Sequence, residues 1–455
     1  MKRSIGLAGL LAAVMTMSAA PGLAQPPATV ESLAQRLAAL EAQNAALRDE
    51  LTAIRKELES VKPASPEQLQ EKVELQAGQL AEQAQVKVEG TQRVPIRLTG
   101  MLLFNYFRNG PHGGSTTDYP GIPQIARAPV NIGAGLRQSV FGLDFQQPQG
   151  AFGARYAGSL LFDLGGQGSN PAIAPNLPRL RSGSLEGQWK RRGFLVGQEK
   201  VIFNPRDPNS LAQVLFGEMI GTGNLYGFRP QVRYEERIPM GAANEVRARI
   251  GFVQTQEDYP SSIQAEFLPS LELKRPSIEG HVQFRYALDE RRRFEAAFGF
   301  HKSSTHIAGT SIPSNIVSVD WFLNPIARVE FSGAAFSGQA IPLSGRRQSF
   351  VTVVRPAPDV IRVIPIRMEG GWAQLALLVA PRFTVNLTAG FEDPRDTDVV
   401  LVDMVTRSTG AALNTFYRIA PNIVVGFEAA QMHAHYKGGQ QPRNNHYNTY
   451  LAFIF

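Results

Sequence analysis

Apolar and polar side chains alternate with a period of two along most of the chain from residue 94 onward. In residues 383–391 the odd-numbered positions are Phe, Val, Leu, Ala and Phe, whereas the even-numbered positions of residues 382–390 are Arg, Thr, Asn, Thr and Gly. Because successive side chains of a strand point to opposite faces, this period predicts β-strands with one apolar and one polar face. Residues 281–286 and 294–301 repeat the pattern.

About 16 such stretches follow one another, separated in turn by short and longer connections, and this rhythm predicts an up-and-down antiparallel barrel. Arg and Thr on the polar face are typical of a water-filled lumen, with the apolar face toward lipid. The predicted fold class is therefore an all-β transmembrane barrel of about 16 antiparallel strands. Residues 349–368 hold two further alternating stretches around Pro356 and Asp359, so 18 strands are an alternative.

The last stretch ends on Phe455, which shares one face with Phe453, Leu451, Thr449 and Tyr447. A terminal aromatic residue on a strand of this period is typical of outer-membrane barrels. It resembles the signal read by the barrel-insertion machinery, so we expect that machinery to be a partner through Phe455.

A different period governs residues 30–61, where apolar residues recur at spacings of three and four. This unbroken heptad register predicts an α-helical coiled coil ahead of the barrel. Opposite charges at flanking positions, Arg36 with Glu41 and Glu50 with Arg55, suit parallel helices. The core positions are Val30, Leu33, Leu37, Leu40, Asn44, Leu47, Leu51, Ile54, Leu58 and Val61.

Two signals for the number of helices in this coiled coil conflict. Arg36, Leu37, Leu40 and Glu41 match the Arg-apolar-x-x-apolar-Glu pattern of short parallel trimers, whereas Asn44 at a core position is frequent in dimers. We favour a homotrimer and keep the dimer as the alternative.

The first residues predict a cleavable secretory signal peptide. Lys2 and Arg3 precede an apolar run, Ile5–Met17, and small residues stand before Gln25. This run is shorter than the roughly 20 residues that a helical membrane span needs. The expected organisation is a signal peptide over 1–24, a coiled coil over 25–62, a periplasmic linker over 63–93 and an outer-membrane barrel over 94–455.

Composition narrows the chemistry. The 455 residues include no cysteine, which excludes disulfides and thiolate metal sites. The net charge of the chain is +7. Residues 91–455 hold 37 basic and 28 acidic residues, so the positive excess belongs to the predicted barrel. These charges are spread over alternating strands, so they do not predict nucleic-acid binding. No catalytic motif is present, and His433 and His435 lack placed carboxylates, so we expect no enzymatic activity, cofactor or metal.

The segment from Asn204 to Phe228, after the fifth predicted strand, combines turn-forming residues with the apolar run Leu211–Phe216. An apolar, glycine-punctuated loop beside a polar lumen predicts a constriction loop folded against the barrel wall. An ordinary exposed loop is the alternative. The constriction-loop candidates are Arg206, Asp207, Leu211, Phe216 and Glu218.

Arginines recur on the polar faces of the neighbouring predicted strands. A guanidinium group is always charged and binds carboxylate or phosphate as a fork, and rings of such groups select anions. Ordinary salt bridges with Glu235 and Glu236 are the alternative for any one of them. The pore-lining and anion-binding candidates are Arg179, Arg181, Arg229, Arg233, Arg247 and Arg249.

Four short segments, Leu195–Gln198, Ser210–Ala212, Gly223–Leu225 and Pro230–Glu235, carry a family resemblance within about 40 residues. They resemble trimeric outer-membrane porins of the phosphate-selective (porin O and P) type, and the heptad segment resembles that of their DcaP-like relatives. The resemblance implies passage of small anionic solutes, including phosphate or dicarboxylates, through an Arg-lined constriction. Lysines are scarce in this region, which departs from a lysine-rich phosphate path.

These observations favour passive diffusion of small, preferentially anionic solutes through a water-filled pore in the outer membrane of a Gram-negative-type bacterium, with the coiled coil in the periplasm. Outer-membrane lipid and a homotrimer are the other expected partners. A structural or adhesive envelope protein that uses the barrel as an anchor is the alternative function. A barrel enzyme is a third hypothesis, disfavoured because no catalytic constellation is present.

Overall fold

The computed structural model describes residues 96–113, 118–147, 151–166, 176–255, 276–307, 310–341, 343, 350–357 and 360–455. The predicted signal peptide, coiled coil and linker lie outside the described residues, as do the trimerisation candidates Arg36, Leu37, Leu40, Glu41 and Asn44. Those interpretations therefore stay predictions.

Most of the described residues belong to antiparallel strands. The strands are β1 (Ile96–Asn109), β2 (Asn131–Gly135), β3 (Val140–Gln147), β4 (Arg155–Gly166), β5 (Leu177–Gln188), β6 (Arg192–Lys200), β7 (Phe228–Pro239), β8 (Asn244–Gln254), β9 (Pro276–Ala287), β10 (Arg293–Ile307), β11 (Thr310–Ile326), β12 (Val329–Gln339), β13 (Val351–Ala357), β14 (Val360–Pro365), β15 (Arg367–Ala380), β16 (Phe383–Pro394), β17 (Val405–Ala420), β18 (Ile423–Tyr436) and β19 (Arg443–Ile454).

The strands close into a barrel. From β3 onward each strand of the wall pairs with the next, with β12 pairing with β15, and β1 pairs with β19 in a register that sets Leu102 opposite Phe453 and Arg108 opposite Tyr447. On its other edge β1 pairs first with β3 and then with β2, so these two short strands share one position in the wall. The barrel therefore has 16 strand positions, which confirms the predicted fold class.

The hairpin β13–β14 forms a separate two-stranded sheet. Because β12 pairs directly with β15, from Val329 opposite Leu377 to Gln339 opposite Arg367, the wall has no room for the hairpin. The alternative of 18 barrel strands is therefore wrong. The two alternating stretches around Pro356 belong to the connection between β12 and β15.

Short turns such as residues 189–191, 327–328 and 421–422 join strands at one end of the barrel, which we call the turn end. The longer connections, including residues 110–130 and 201–227, join strands at the other end, the loop end. No helix of the described residues is long and apolar enough to span a membrane.

The outward face of the barrel is mostly apolar. On β19, Tyr447, Leu451 and Phe453 are exposed, whereas the alternate residues Asn448 and Tyr450 are buried toward the lumen. Apolar side chains outside and polar side chains inside are the pattern of a transmembrane barrel.

Part of the inward face is apolar, contrary to the expected polar lining. Leu103 of β1, Val424 of β18 and Ala452 of β19 are buried inside the barrel, as is Trp372 of β15. These side chains pack against residues 211–219 of the connection between β6 and β7. The inner wall is therefore apolar where this connection covers it, because burial there removes apolar surface from water.

We call residues 201–227, which join β6 to β7, the lumen loop. Its backbone lies directly on the wall at Gly223, where φ is 114° and a Cβ atom would stand 2.0 Å from the carbonyl oxygen of Gly371 in β15. A side chain at this position would therefore separate the lumen loop from the wall.

We expect Gly223→Ala to lower stability by about 1–3 kcal/mol, since it adds both backbone strain and an overlap with Gly371. Thermal unfolding of the detergent-solubilised protein measures this, and limited proteolysis reports release of the loop. Gly241→Ala is the matched control, because Gly241 has a φ of 127° in a turn but a Cβ there would meet nothing within 4 Å. Equal losses in both variants would show that the contact with the wall contributes nothing.

Candidate functional site

The lumen loop begins with bonds to β9, β10 and β11. The Ile202 amide donates to the Glu279 carboxylate at 2.8 Å, and the Ser318 hydroxyl donates to the Phe203 carbonyl oxygen at 2.6 Å. The same Glu279 pairs with His301 on β10 at 2.9 Å. A buried backbone that leaves a sheet needs such partners for its polar groups, so the path of the loop into the lumen is set by these strands.

Arg206, a predicted constriction-loop residue, lies in a buried ion-pair network. Its guanidinium donates to Asp320 of β11 at 3.0 Å and to Glu295 of β10 at 2.9 Å. Asp320 also bonds to His281 of β9 at 2.8 Å. The next residue, Asp207, forms an ion pair with Lys200 at the end of β6. Arg206 and Asp207 therefore fasten the loop to the wall.

The middle of the lumen loop is held by hydrogen bonds to side chains on β15, β17 and β18. Gln374 bonds to Asn209 in both directions, with its amide oxygen accepting at 2.9 Å and its amide nitrogen donating at 3.1 Å. Asn414 also donates to the Asn209 carbonyl oxygen at 3.1 Å. Ser210 donates to Glu428 of β18 at 2.5 Å.

Glu218 is fully buried against the same strands. Its carboxyl group accepts hydrogen bonds from Thr388 at 3.0 Å and from Gln374 and Asn414 at 3.2 Å each. Burial raises the pKa of Glu218 well above its ordinary value of 4.5, and the nearby Glu428 carboxylate raises it further. The hydrogen bonds from Thr388 and Asn414 act in the opposite direction but do not compensate. We infer that Glu218 binds to the wall best in its protonated form.

Leu211 and Phe216, the two apolar candidates, lie on different surfaces. Leu211 packs on the cluster around Leu103 and Val424. The Phe216 ring lies 4.6 Å from the Tyr119 ring, between the guanidinium groups of Arg137 and Arg179 at 5.9 and 6.0 Å. Arginine over an aromatic face is a favourable cation–π arrangement, so Phe216 joins the loop to β3–β5.

Four arginines project into the lumen from β7 and β8, and we call Arg233, Arg237, Arg247 and Arg249 the arginine cluster. Glu235 stands in its middle and is 5% exposed. Its carboxylate accepts from Arg237 at 2.6 Å and from Arg249 at 2.7 Å, with Arg247 at 3.7 Å. Arg237, Arg247 and Arg249 thus form salt bridges with Glu235, which is the alternative that the sequence analysis gave for them.

Arg233 differs from the other members of the arginine cluster. It is half-buried, opposite Leu195 of β6 and Gly251 of β8, and no carboxylate of the described residues lies within 4.0 Å of it. Gly251 adds no side chain beside its guanidinium, which is always charged. Arg233 is therefore the member best placed to bind an external anion.

The remaining predicted arginines stand closer to the loop end. Arg179 pairs with Asp163 at 2.8 Å, and Arg181 bonds to the Tyr226 hydroxyl with its guanidinium 5.0 Å from the centre of the Phe228 ring. Arg229 is half-buried on the inward face of β7. All six candidates thus belong to one arc of the wall, β5 to β8, but the structure does not bring them into a single ring.

A cavity of about 260 Å³ opens beside the arginine cluster. Arg247 and Arg249 line it from β8, and Arg206 lines it from the lumen loop. Arg285 of β9, for which the described residues offer no ion-pair partner, lines it as well. Four of the nine residues that line the cavity are thus arginines, and Glu295 and Asp320 are the acidic residues in its lining.

The middle of the lumen loop and the arginine cluster lie on opposite sides of the barrel. In the order of the 16 positions, β7 and β8 are eight places from β17 and β18, which hold the middle of the loop. This part of the loop therefore covers the β15–β18 side of the lumen, while the beginning of the loop reaches the cavity beside the arginine cluster through Arg206.

Sequence reasoning missed several residues of this arrangement. Glu428, Gln374 and Asn414 anchor the loop, and Arg285 lines the cavity, yet none was a candidate. Arg285 belongs to the polar face of the alternating stretch 281–286, so the alternation alone predicts that its side chain faces the lumen. The partners of the loop depend on contacts across 150 or more residues, and the sequence gives no signal for them.

Two solved structures show the same fold. The outer membrane channel DcaP of Acinetobacter baumannii superposes with a TM-score of 0.61 at 15% identity, covering 80% of this chain and 97% of that one. An anion-selective porin from Comamonas acidovorans superposes with a TM-score of 0.52 at 11% identity, covering 80% and 100%. No protein-family model and no curated protein matches the chain. The chain therefore has a porin-like outer-membrane channel fold.

The raised pKa of Glu218 gives a pH prediction. An acid whose pKa is raised by folding contributes stability below its ordinary value of 4.5 that is lost as the pH rises toward the raised value. We expect the thermal midpoint of the wild-type protein to fall between pH 4.5 and neutrality. Glu218→Gln, which keeps an uncharged side chain there, should reduce this fall and be more stable than the wild type at pH 7.5.

Glu290→Gln is the matched control, since Glu290 is exposed in the turn between β9 and β10. Its pH profile should follow that of the wild type, as measured by circular dichroism in detergent. A Glu218→Gln profile as steep as that of the wild type would contradict a buried, protonated Glu218.

Proposed function

We propose that this porin-like channel allows passive diffusion of small, preferentially anionic solutes across the outer membrane of a Gram-negative-type bacterium. The observation that carries the proposal is the arginine cluster on β7 and β8, two of whose members, Arg247 and Arg249, line the cavity beside the lumen loop. Arg233, which has no carboxylate of the described residues within 4.0 Å, is the member that we assign to anion binding. One of the two similar structures is named as anion-selective, which agrees with this preference.

Selection would act through electrostatics and pore size. A solute between the lumen loop and the arginine cluster is near four guanidinium groups, of which Glu235 partly neutralises three. Fixed positive charges in a narrow passage lower the barrier for anions and raise it for cations. Arginine pairs with oxyanions in a fork, so carboxylates and phosphates suit these side chains better than spherical ions do.

We also propose that the chain forms a homotrimer, with the coiled coil of residues 25–62 on the periplasmic side. The outward face supports an assembly surface at β18, β19 and β1. Gln431 donates to Asn445 at 2.8 Å on this face, and Arg108 stands beside Tyr447 on the neighbouring strand. Polar groups on the outside of a barrel are costly in lipid but acceptable against a second copy. Crosslinking of the full chain in membranes should give trimer bands, and dimer bands would favour the Asn44 interpretation.

The anion preference predicts the effect of removing one charge. Arg233→Ala removes a charge without leaving a buried carboxylate unpaired, so the fold should be kept. A unit charge at about 4 Å changes the energy of an ion by about 1 kcal/mol in water, which is about a fivefold change in its local concentration. We therefore expect the anion-to-cation permeability ratio in a planar bilayer under a KCl gradient to fall by up to about fivefold.

Arg192→Ala is the control, because Arg192 is 68% exposed at the turn end and pairs with Glu236 away from the cavity. Its reversal potential should equal that of the wild type. Cation selectivity of the wild-type channel would overturn the proposal. Absence of conductance from correctly folded protein would instead favour the structural or adhesive anchor.

A further inference from the structure

Glu235 occupies an unusual place for an acidic residue in a passage that we propose for anions. It lies on the inward face of β7, two residues before Arg237. On the neighbouring strand β8, Arg249 stands opposite Glu235 and Arg247 stands opposite Arg237. Its two carboxylate oxygens are divided among the three guanidinium groups at 2.6, 2.7 and 3.7 Å. A carboxylate with three such neighbours stays ionised.

The bonds that Glu235 makes are those that a permeating oxyanion would make. Arg237 and Arg249 each donate from Nε, one of the positions through which guanidinium groups grip carboxylate and phosphate. Without Glu235, Arg237 and Arg249 would lose their carboxylate partner, whereas Arg247 would keep Glu245 at 3.3 Å. Charge-assisted hydrogen bonds are among the strongest in proteins, so such a site would hold an anion for a long time.

We propose that Glu235 is a built-in counter-anion that sets how tightly the arginine cluster holds a permeating oxyanion. The inference rests on the proposed anion path. A channel needs a site favourable enough for entry and weak enough for release. Glu235 competes with the solute for Arg237, Arg247 and Arg249, whereas Arg233 stays available for capture. Glu235 is therefore a specificity-determining residue that favours flow over retention.

A purely structural role for Glu235 predicts a different outcome. Backbone pairing already sets Glu235 opposite Arg249 and Arg237 opposite Arg247, so the carboxylate is not needed to define the register. If it only held the arginine side chains in place, its loss would loosen them and weaken anion binding. The sign of the change in anion binding thus separates the two roles.

The test uses the full chain in a planar bilayer, with inorganic phosphate as the probe added to KCl. We expect Glu235→Gln to be more anion-selective than the wild type and to be blocked by roughly tenfold less phosphate, with longer closures in single-channel records. Glu236→Gln is the matched control, because Glu236 is the next residue of β7, points outward and pairs with Arg192. It should match the wild type in both measurements.

Unchanged or weaker phosphate block in folded Glu235→Gln would overturn the inference. Should that variant fail to fold, Glu235→Asp decides, since its shorter carboxylate cannot reach all three guanidinium groups. It should be blocked by less phosphate than the wild type, and unchanged block would again contradict the inference. The wild-type reversal potential without phosphate tests the anion path itself, whereas the ratio of variant to wild-type block tests Glu235, so the two failures are distinguishable.

Discussion

Closure of the barrel between β1 and β19 is the constraint on which the other features depend. A strand in lipid has no water for its backbone groups, so the sheet must leave no free edge. The register that sets Leu102 opposite Phe453 fixes the circumference at 16 positions. At that size the wall encloses more space than its own inward side chains fill. The lumen loop occupies much of that space, and the side that it leaves open decides which solutes can pass.

The two sides of the lumen use opposite kinds of chemistry. Where the loop meets β15, β17 and β18, the contacts are apolar packing and hydrogen bonds among neutral groups, with Glu218 buried in the contact. Facing this surface, β7 and β8 present guanidinium groups around Glu235. Burial of apolar surface is not weakened by salt, whereas the field of exposed charges is. The loop can therefore stay in place while the charged wall responds to its ionic surroundings.

The sequence predicted the wall well and its interior partly. Alternation identified the barrel because lipid requires an apolar side chain at every second position. The same rule failed at Leu103, Val424 and Ala452, since an inward position can be apolar when a loop covers it. The apolar run Leu211–Phe216 was a correct reason to expect a loop against the wall, but its partners could not be predicted. Whether Arg249 is paired or available depends on the register of β7 and β8, which single-sequence periodicity does not supply.

The division of the lumen into a filled and an open side is the central claim, and the absence of cysteine allows a direct measurement. A single cysteine is introduced as Arg233→Cys on the open side or as Asn414→Cys beneath the lumen loop, and an anionic methanethiosulfonate is added to a conducting channel. The arrangement predicts a stepwise loss of current with Arg233→Cys and none with Asn414→Cys, because Asn414 is fully buried against Asn209 and Glu218. Equal reaction at both positions, or reaction at Asn414→Cys alone, would contradict it.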